Sequence, residues 1–484
     1  MTTFRLGIDL GTSAVKVVAL DLAGWVAATG EAAFPTRSDL PGQAEQEPRH
    51  WLAATAAAMA TIGRDLGTGW GERVSAIGLA GQLPTLVCMG DDGPLGPAIA
   101  WTDARADAWA GSRLDSKRRD WLYRRTGMPI DGRYLAPMFR FHWQERRRAV
   151  RRILSAKDFL CHALTGRAVT DPSTAAGYGV YAIADGRWDA ALCAIWDLDP
   201  TLLPEIQPGH AVVGPLHTAG ARLLGLQEGI PVLAGTADSV AGAFAMAGLN
   251  SGVVCVAMGS STIVMDSVAA PLLDGQRRYL LTPHAMEGWF GREMDLLATG
   301  TGFRWLTTLL GSTDEELLNR AAAAPPGANG LFFAPYLAGG EQGALWDPTL
   351  RGTLHGLSLS HTASDVARAF IEGVQFEIRR CIDVLSEAAP VRHVVLAGHA
   401  TSRRETLGMV ADMLGRPVKA YEHRSPAALG AAQLAALAGS TAASTDSATP
   451  THPLVVPGPN AAEYEGIYRR YTSLFPRIAR PETD

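Results

Sequence analysis

Leu6-Gly7-Ile8-Asp9-Leu10-Gly11-Thr12-Ser13-Ala14-Val15-Lys16-Val17-Val18-Ala19-Leu20 decides how this chain is read. Leu6, Ile8 and Leu10 alternate ahead of a Gly-Thr-Ser bend, and Val15, Val17 and Val18 follow it. That pattern predicts two β-strands joined by a tight turn. A plain hairpin tip has no need of an Asp at the end of its first strand, nor of two hydroxyls and a lysine beside one loop. Asp9 offers a carboxylate to a hydrated Mg²⁺. Gly11, Thr12 and Ser13 offer free backbone N–H groups and hydroxyls, and Lys16 offers a cation. Together they make a phosphate cradle. The plainer alternative is an N-terminal hairpin whose Asp is incidental.

Working outward, 484 residues exceed one hydrophobic core, so two domains of roughly 200–250 residues each are expected. The chain is 47% hydrophobic and 19% charged, with mean hydropathy near zero. A net charge of −5 gives no general attraction for nucleic acid. The basic run Arg146-Arg147-Arg148 with Arg151-Arg152 reads as a solvated helix face. Five cysteines (Cys88, Cys161, Cys193, Cys255, Cys381) form no C-x-x-C pair, which excludes a zinc ribbon or disulfide framework and suits a reducing cytoplasm. No basic region precedes an apolar signal core, and no 18-residue apolar run occurs, so a cytoplasmic protein without a membrane span is expected.

Taken in order, the next elements are a third strand over Trp25–Ala33, an Ala-rich helix over Pro48–Ile62 and a short strand over Val74–Leu79. The last runs into Gly81-Gln82-Leu83-Pro84-Thr85. Trp101-Thr102-Asp103-Ala104-Arg105 follows; such a Trp-x-Asp is ordinarily a strand end whose Asp caps a helix. Arg113–Leu164 reads as a mostly helical insertion. In Gly229–Ala243 an apolar strand ends at Gly235-Thr236-Ala237, and Asp238 opens a helix of small residues. Asp238 is then either a simple N-cap or a carboxylate facing a cleft, kept ionised by the helix dipole. Ala247–Gly252 reads as a Gly-rich hinge. After it, Val253–Val264 repeats strand, Gly259-Ser260-Ser261 turn, strand. Thr299-Gly300-Thr301-Gly302 lacks the full G-x-G-x-x-G dinucleotide pattern. Thr362 and Asp365 form a capping box ahead of a helix marked by Val366, Phe370, Val374, Glu377, Cys381 and Leu385. Val394–Ala397 is a buried strand ending at Gly398-His399-Ala400. The helix over Leu407–Leu414 stops at Gly415, with Pro417 beyond. Ser440–Pro450 reads as flexible, and Tyr464, Tyr468, Tyr471 and Leu474 as a terminal helix that docks back.

These stretches carry a resemblance. D-L-G-T-S resembles the first phosphate motif of the actin, Hsp70 and hexokinase superfamily. G-I-D-L-G-T-S-x-V-K at residues 7–16 is similar to the opening of the FGGY carbohydrate kinases. The G-Q element at Gln82, W-x-D-x-R at Trp101, K-D-F-L…L-T-G from Lys157 and T-D-P-S-T-A from Thr170 follow in the family's order. So do G-x-x-D-x-x-x-G-A around Asp238, F-A-P-Y-L-A-G-G-E from Phe333, D-P-x-x-R-G at Asp347 and A-x-x-G-A-A at Ala427. The resemblance spans Gly7 to about Gly439.

It implies two actin-like, ribonuclease H-like α/β domains with a cleft between them: residues 1–247 with the sugar site and base, 248–439 with the nucleotide site, then a flexible segment and terminal helix over 440–484. It implies that Asp238 is the catalytic base and that Asp9 holds Mg²⁺, largely through water. Gln82, Leu83, Trp101, Asp103, Asp238 and Ser239 would meet the sugar. Gly11, Thr12, Ser13, Lys16, Gly259, Ser260, Ser261, Gly302, Gly398, His399 and Ala400 would meet the nucleotide. The implied activity is ATP- and Mg²⁺-dependent phosphorylation of a ketopentose, D-xylulose to D-xylulose 5-phosphate, with sugar and ATP as the partners, neither nucleic acid nor membrane, and a homodimer left open. Departures bear on the substrate. Leu83-Pro84 stands where glycerol kinases carry Arg-Glu and bacterial xylulokinases Met-His, Gln342 replaces an Arg, and His399 narrows a usual G-G-G-A. A kinase of the same mechanism for another ketose or polyol is the alternative, with a non-catalytic sugar or nucleotide sensor behind it.

Overall fold

The computed structural model describes residues 2–338, 343–398, 404–438 and 453–480. The Ser440–Pro450 segment and Gln342 of the sequence reading lie outside them.

The opening hairpin forms as the alternation demands. Strands β1 (Phe4–Leu10) and β2 (Ala14–Asp21) pair antiparallel, and β3 (Val26–Ala33) extends the meander. Helix α1 (Pro48–Leu66) follows, then β4 (Val74–Gly81), which lies parallel to β1. Further along come α2 (Ala156–Thr165), β5 (Val212–Pro215), β6 (Pro231–Leu233) and β7 (Thr236–Ala237). The seven-stranded sheet runs β5-β6-β4-β1-β2-β3, with β7 also on β4. Helix α3 (Asp238–Ala247) leaves it and ends at Gly248, whose φ of 62° favours glycine; Gly252 follows at 83°.

The second half repeats the plan. Strands β8 (Val253–Met258) and β9 (Thr262–Val268) make a hairpin like β1–β2, followed by β10 (Leu280–Pro283) and β11 (Phe290–Leu296). After α4 (Gly300–Leu309) and the long α5 (Ala363–Ser386), β12 (His393–Ala397) pairs parallel to β8 as β4 does to β1. With β13 (Val418–Tyr421) the six-stranded sheet reads β10-β11-β9-β8-β12-β13. The Thr362–Asp365 capping box is formed at the start of α5.

Period-two alternation sorts the first sheet's faces. Leu6, Ile8, Leu10, Val15, Val17 and Ala19 share one core with Trp51 and Met59 of α1 and Phe159 and Leu164 of α2. Val18, Leu20 and Ala76 face the other way, into a core that includes residues of α3 and of α6 (Pro426–Ala435). α6 follows the second sheet in sequence yet packs on the first. Two glycines admit it: a Cβ on Gly7 would lie 1.9 Å from the Ala428 carbonyl oxygen, and one on Gly78 1.9 Å from that of Ala431. Gly7 and Gly78 are register partners on β1 and β4, so together they form one bare groove.

The 113–164 insertion holds three helices with a short strand at Arg152–Leu154, and its residues help form a separate core with Leu86, Cys88 and Trp196. The arginine run is solvated but is not a helix face. It makes a short 3-10 turn at Arg147–Ala149 and then enters that strand, because Arg151 N bonds to Met89 O in the neighbouring β-pairing. The terminal helix α7 (Ala461–Leu474) docks as expected, burying Tyr464, Tyr468 and Tyr471 around Phe376. All five cysteines are free and buried. Among the described residues, no helix is long and apolar enough to cross a membrane.

Candidate active site

Alternation that sends Leu6, Ile8 and Leu10 into one core sends Asp9 to the opposite face, towards α3 and α6. Lys16 is its direct cross-strand partner, so carboxylate and ammonium share that face. β1, β4 and β7 are parallel, with Asp9 in register with Ala80 and Ala80 with Thr236. Asp9 and Asp238 therefore leave the carboxyl ends of strands separated by β4, where open α/β sheets form their crevices. Both line a cavity of about 610 Å³, along with Lys16, Ser239, Cys255 and Pro426.

Burial sets the electrostatics of this cavity. Asp9 is pushed up to about 7, chiefly by desolvation and then by the Asp238 charge, with Lys16 pulling it back. Its Oδ1 is buried without a hydrogen-bond partner. Asp238 is raised to about 6 by burial, against the pull of the Ser239 N–H, its own backbone N–H and Lys16. The residue that caps α3 is Ala237; Asp238 is the first helical residue, and its Oδ1 accepts from Ser239 N at 2.8 Å. Its carboxyl is therefore left in the cavity wall.

A second cavity, about 620 Å³, adjoins the first, and Ser239 lines both. Leu83, Pro84 and Trp101 form part of its wall. Trp101 Nε1 donates to Thr12 Oγ1 at 3.0 Å, which ties this wall to the tip of the β1–β2 hairpin. Gln82 stands behind the wall: its Nε2 donates to Gln46 Oε1, and Gln46 Nε2 donates to the Thr12 carbonyl oxygen. Asp103 is placed elsewhere. Asp103 is 1% exposed; against the upward push of burial, His142, Arg105 and Ala44 N hold its carboxyl well below the usual carboxylate range, and it is not among the cavity-lining residues. It shapes the loop carrying Trp101.

The remaining wall was not foreseen. Asp131, Arg133 and Tyr134 come from the insertion, and Glu293 and Asp295 from β11 of the second sheet. Gly291-Arg292-Glu293-Met294-Asp295 carried one usable signal, since charges at alternate positions of an otherwise buried strand need partners. Arg292 pairs with Asp266 on one face; Glu293 and Asp295 share the other.

At the turns read as nucleotide-binding, Gly259 N bonds to Ser261 O, closing the second turn, and Thr301 N donates to Ser260 O at 3.0 Å. Gly302 is buried, where an added Cβ would press on Leu337 and Phe370 at 3.1 Å, so packing accounts for this glycine. Gly398, at φ 129°, abuts Met258 at the end of β8. His399 and Ala400 lie outside the described residues. Ser13 is exposed, and Thr12 and Gly11 are half-buried at the hairpin tip.

Behind Asp238 stands a buried support. Lys157 Nζ lies 2.9 Å from Asp158 Oδ1, 3.1 Å from Asp171 Oδ1 and 2.7 Å from the Ala234 oxygen. Asp171 holds Ser173, whose Oγ meets Thr236 Oγ1 at 2.6 Å and accepts from Ala237 N at 2.9 Å. The two residues ahead of Asp238 are thus pinned.

Known proteins resemble this chain over nearly its whole length. Residues 4–245 match the N-terminal domain of the FGGY family of carbohydrate kinases, and residues 254–439 its C-terminal domain. A xylulose kinase of Bacillus subtilis (strain 168) is 30% identical over 440 residues, covering 90% of this chain and 88% of that one. A gluconokinase of the same organism is 26% identical over 452 residues, covering 89% and 86%. The crystal structure of xylulose kinase from Rhodospirillum rubrum superposes with a TM-score of 0.87 at 30% identity, covering 98% of this chain and 99% of that one. With both domain models matched in order across a duplicated fold and its cleft, this chain belongs to the FGGY family of carbohydrate kinases.

Proposed function

We propose that this sugar kinase transfers the γ-phosphoryl group of ATP to a hydroxyl of a ketopentose, D-xylulose foremost, giving D-xylulose 5-phosphate and ADP. The observation that carries the reading is the position of Asp238, in one cavity wall with Asp9 and Lys16, while its neighbour Ser239 opens onto the other cavity. A sugar hydroxyl entering from that side gives its proton to the Asp238 carboxylate. Its oxygen forms the bond to the γ-phosphorus as the bond to the bridging oxygen breaks, and ADP leaves. A base held near 6 is unprotonated at neutral pH yet still basic enough to accept. Lys16 and the two Gly-hydroxyl turns position the phosphates, since phosphoryl transfer needs placement and charge neutralisation more than covalent help.

The residues fit a magnesium ion. Asp9 presents a buried, unpartnered Oδ1. Among the described residues, no group of three or more His, Cys, Asp or Glu is arranged to hold a metal. That suits an ion held by one carboxylate through water and by substrate phosphates. When bound, it neutralises charge on the β- and γ-phosphates.

The apolar Leu83-Pro84 wall supports a ketopentose over glycerol, because these two positions lack the Arg-Glu pair that glycerol kinases carry there, the cavity's charged groups lying elsewhere in its lining. The test is ADP release with Mg²⁺ and ATP across pentuloses, hexuloses, aldoses and polyols. A ketopentose is expected to lead, and a specificity constant for glycerol at or above that for D-xylulose overturns the pocket argument. A different leading ketose moves the assignment within the same mechanism. No turnover with any sugar leaves a sensor.

A further inference from the structure

Trp346 borders the cavity that also holds Leu83, Pro84 and Trp101, yet it comes from the other half of the chain, between the short strands Phe332–Ala334 and Thr353–His355. Its backbone stands at φ 48°, a left-handed conformation that suits glycine and strains a bulky side chain. Among the described non-glycine residues with a positive φ, only Trp346 borders either cavity. Such strain concentrates at functional sites and persists where the surroundings hold it from several sides. Here the indole Nε1 donates to the Arg278 carbonyl oxygen at 2.8 Å. Arg278 is itself fixed, its Nε 3.0 Å from Asp274 Oδ2 and its Nη1 2.8 Å from Glu387 Oε1. On the far side Arg480 Nε donates to Asp347 Oδ2 at 2.8 Å, and Arg351 N to the Ala479 oxygen at 2.9 Å. Trp346 is half-buried, and with its N–H engaged the ring has only carbon to offer. Trp101 is in the same state, its Nε1 engaged by Thr12 Oγ1.

We propose that Trp346 is a sugar-binding residue supplied by the second half, which with Trp101 holds the C–H side of the ketose carbon chain. This rests on the sugar-kinase reading above and adds to it a contact from across the cleft. A ketose presents hydroxyls and C–H bonds. Its polarised C–H hydrogens suit the electron-rich face of an indole, as in other aromatic-lined pockets. An indole whose one polar atom is bound elsewhere takes that side of the sugar and leaves the hydroxyls to the polar wall. The turn alone would be better served by glycine at this position.

The experiment measures D-xylulose affinity by calorimetry, and KM for D-xylulose and ATP, in wild type, Trp346→Phe, Trp346→Ala and Trp346→Gly, with thermal melting of each. Trp346→Ala and Trp346→Gly are expected to weaken D-xylulose binding by about tenfold or more, with KM for ATP moved by less than about twofold. Trp346→Phe keeps an aromatic face without the bond to Arg278 and should lose about threefold or less. Trp346→Gly should melt at or above Trp346→Ala, because glycine relieves the left-handed backbone. Intrinsic fluorescence supplies a second readout. D-xylulose added without nucleotide should change the emission of wild type and of Trp121→Phe, an exposed site outside the cavity, more than that of Trp346→Phe. Unchanged affinity in folded Trp346→Ala or Trp346→Gly overturns the proposal. Equal losses in Trp346→Phe and Trp346→Ala overturn it too, since they would assign the effect to the Arg278 bond. If neither truncated variant folds, Trp346→Phe and the fluorescence comparison decide. D-xylulose that binds wild type without turning over would strike the kinase reading alone. Where another sugar leads the ADP-release screen, that sugar takes the place of D-xylulose in every measurement.

Discussion

Asp238 is where a helix position and a catalytic role can be separated. Asn keeps the size and the bond to Ser239 N but cannot take a proton. Asp238→Asn is expected to lower kcat by roughly 10²–10⁴-fold with sugar affinity and melting nearly unchanged, read by steady-state kinetics and calorimetry. In wild type, kcat/KM should fall as pH drops through about 6, because the carboxyl must be unprotonated to act. Asp9 makes a different test. Its folded value of about 7 lies above the ordinary 3.8, so the folded state holds that proton more tightly than the unfolded chain. Stability from this carboxyl is present below about 4 and is lost as pH rises through 7. Asp9→Asn should therefore raise the melting midpoint of the ligand-free protein at pH 8, change it little at pH 4.5, and weaken turnover at ordinary Mg²⁺. Equal shifts at both pH values would count against a buried, unpaired Asp9.

Among elements, the α2–β7 support and the α6 groove carry most of the site's geometry. Lys157 is fully buried between Asp158 and Asp171, so Lys157→Met strands two carboxyls. The expected cost is about 3–5 kcal/mol by denaturant melting, with a lower kcat because Ser173 and Thr236 no longer fix the approach to Asp238. Glycines offer a paired comparison. A Cβ at Gly430 would sit 1.9 Å from the Ala241 carbonyl oxygen, whereas one at Gly466 in α7 would meet nothing within 4 Å. Gly430→Val should destabilise by at least about 1–3 kcal/mol through overpacking. Gly466→Ala should stabilise by about 0.5–1 kcal/mol, as Ala does over Gly inside a helix. Similar melting midpoints for the two variants would mean that α6 does not pack against α3 at Ala241.

For the molecule as a whole, Glu293 reaches from the second sheet to Ser239 at the start of α3, and α6 returns from the second half to the first sheet. Gly248 and Gly252 carry the chain between the halves at positive φ. The two cavities share Ser239, so substrates in both would draw the halves together and exclude water that otherwise hydrolyses ATP. The radius of gyration in small-angle scattering is expected to fall when a non-hydrolysable ATP analogue and the sugar are added together. An unchanged radius at saturating ligand would remove closure from the mechanism.

What the sequence by itself determined is what short-range chemistry controls. Alternation and a Gly-Thr-Ser bend suffice for β1–β2 and for the face of Asp9, a strand-to-helix junction suffices to place Asp238, and a Thr-x-x-Asp box starts α5. The duplicated plan was legible because the Gly259–Ser261 turn repeats the first one. Only the tertiary structure decided which side chains meet from distant parts of the chain. Asp103 looks like a pocket carboxylate beside Trp101 until Arg105 and Ala44 N claim it. Gln46 carries no motif, yet it joins Gln82 to Thr12. Glu293 and Asp295 lie more than fifty residues beyond Asp238, and their place in the wall beside Trp101 depends on how the second sheet faces the first. Local propensity says nothing about such pairings, because burial and partnership arise only when the packed sheets and helices bring the groups together.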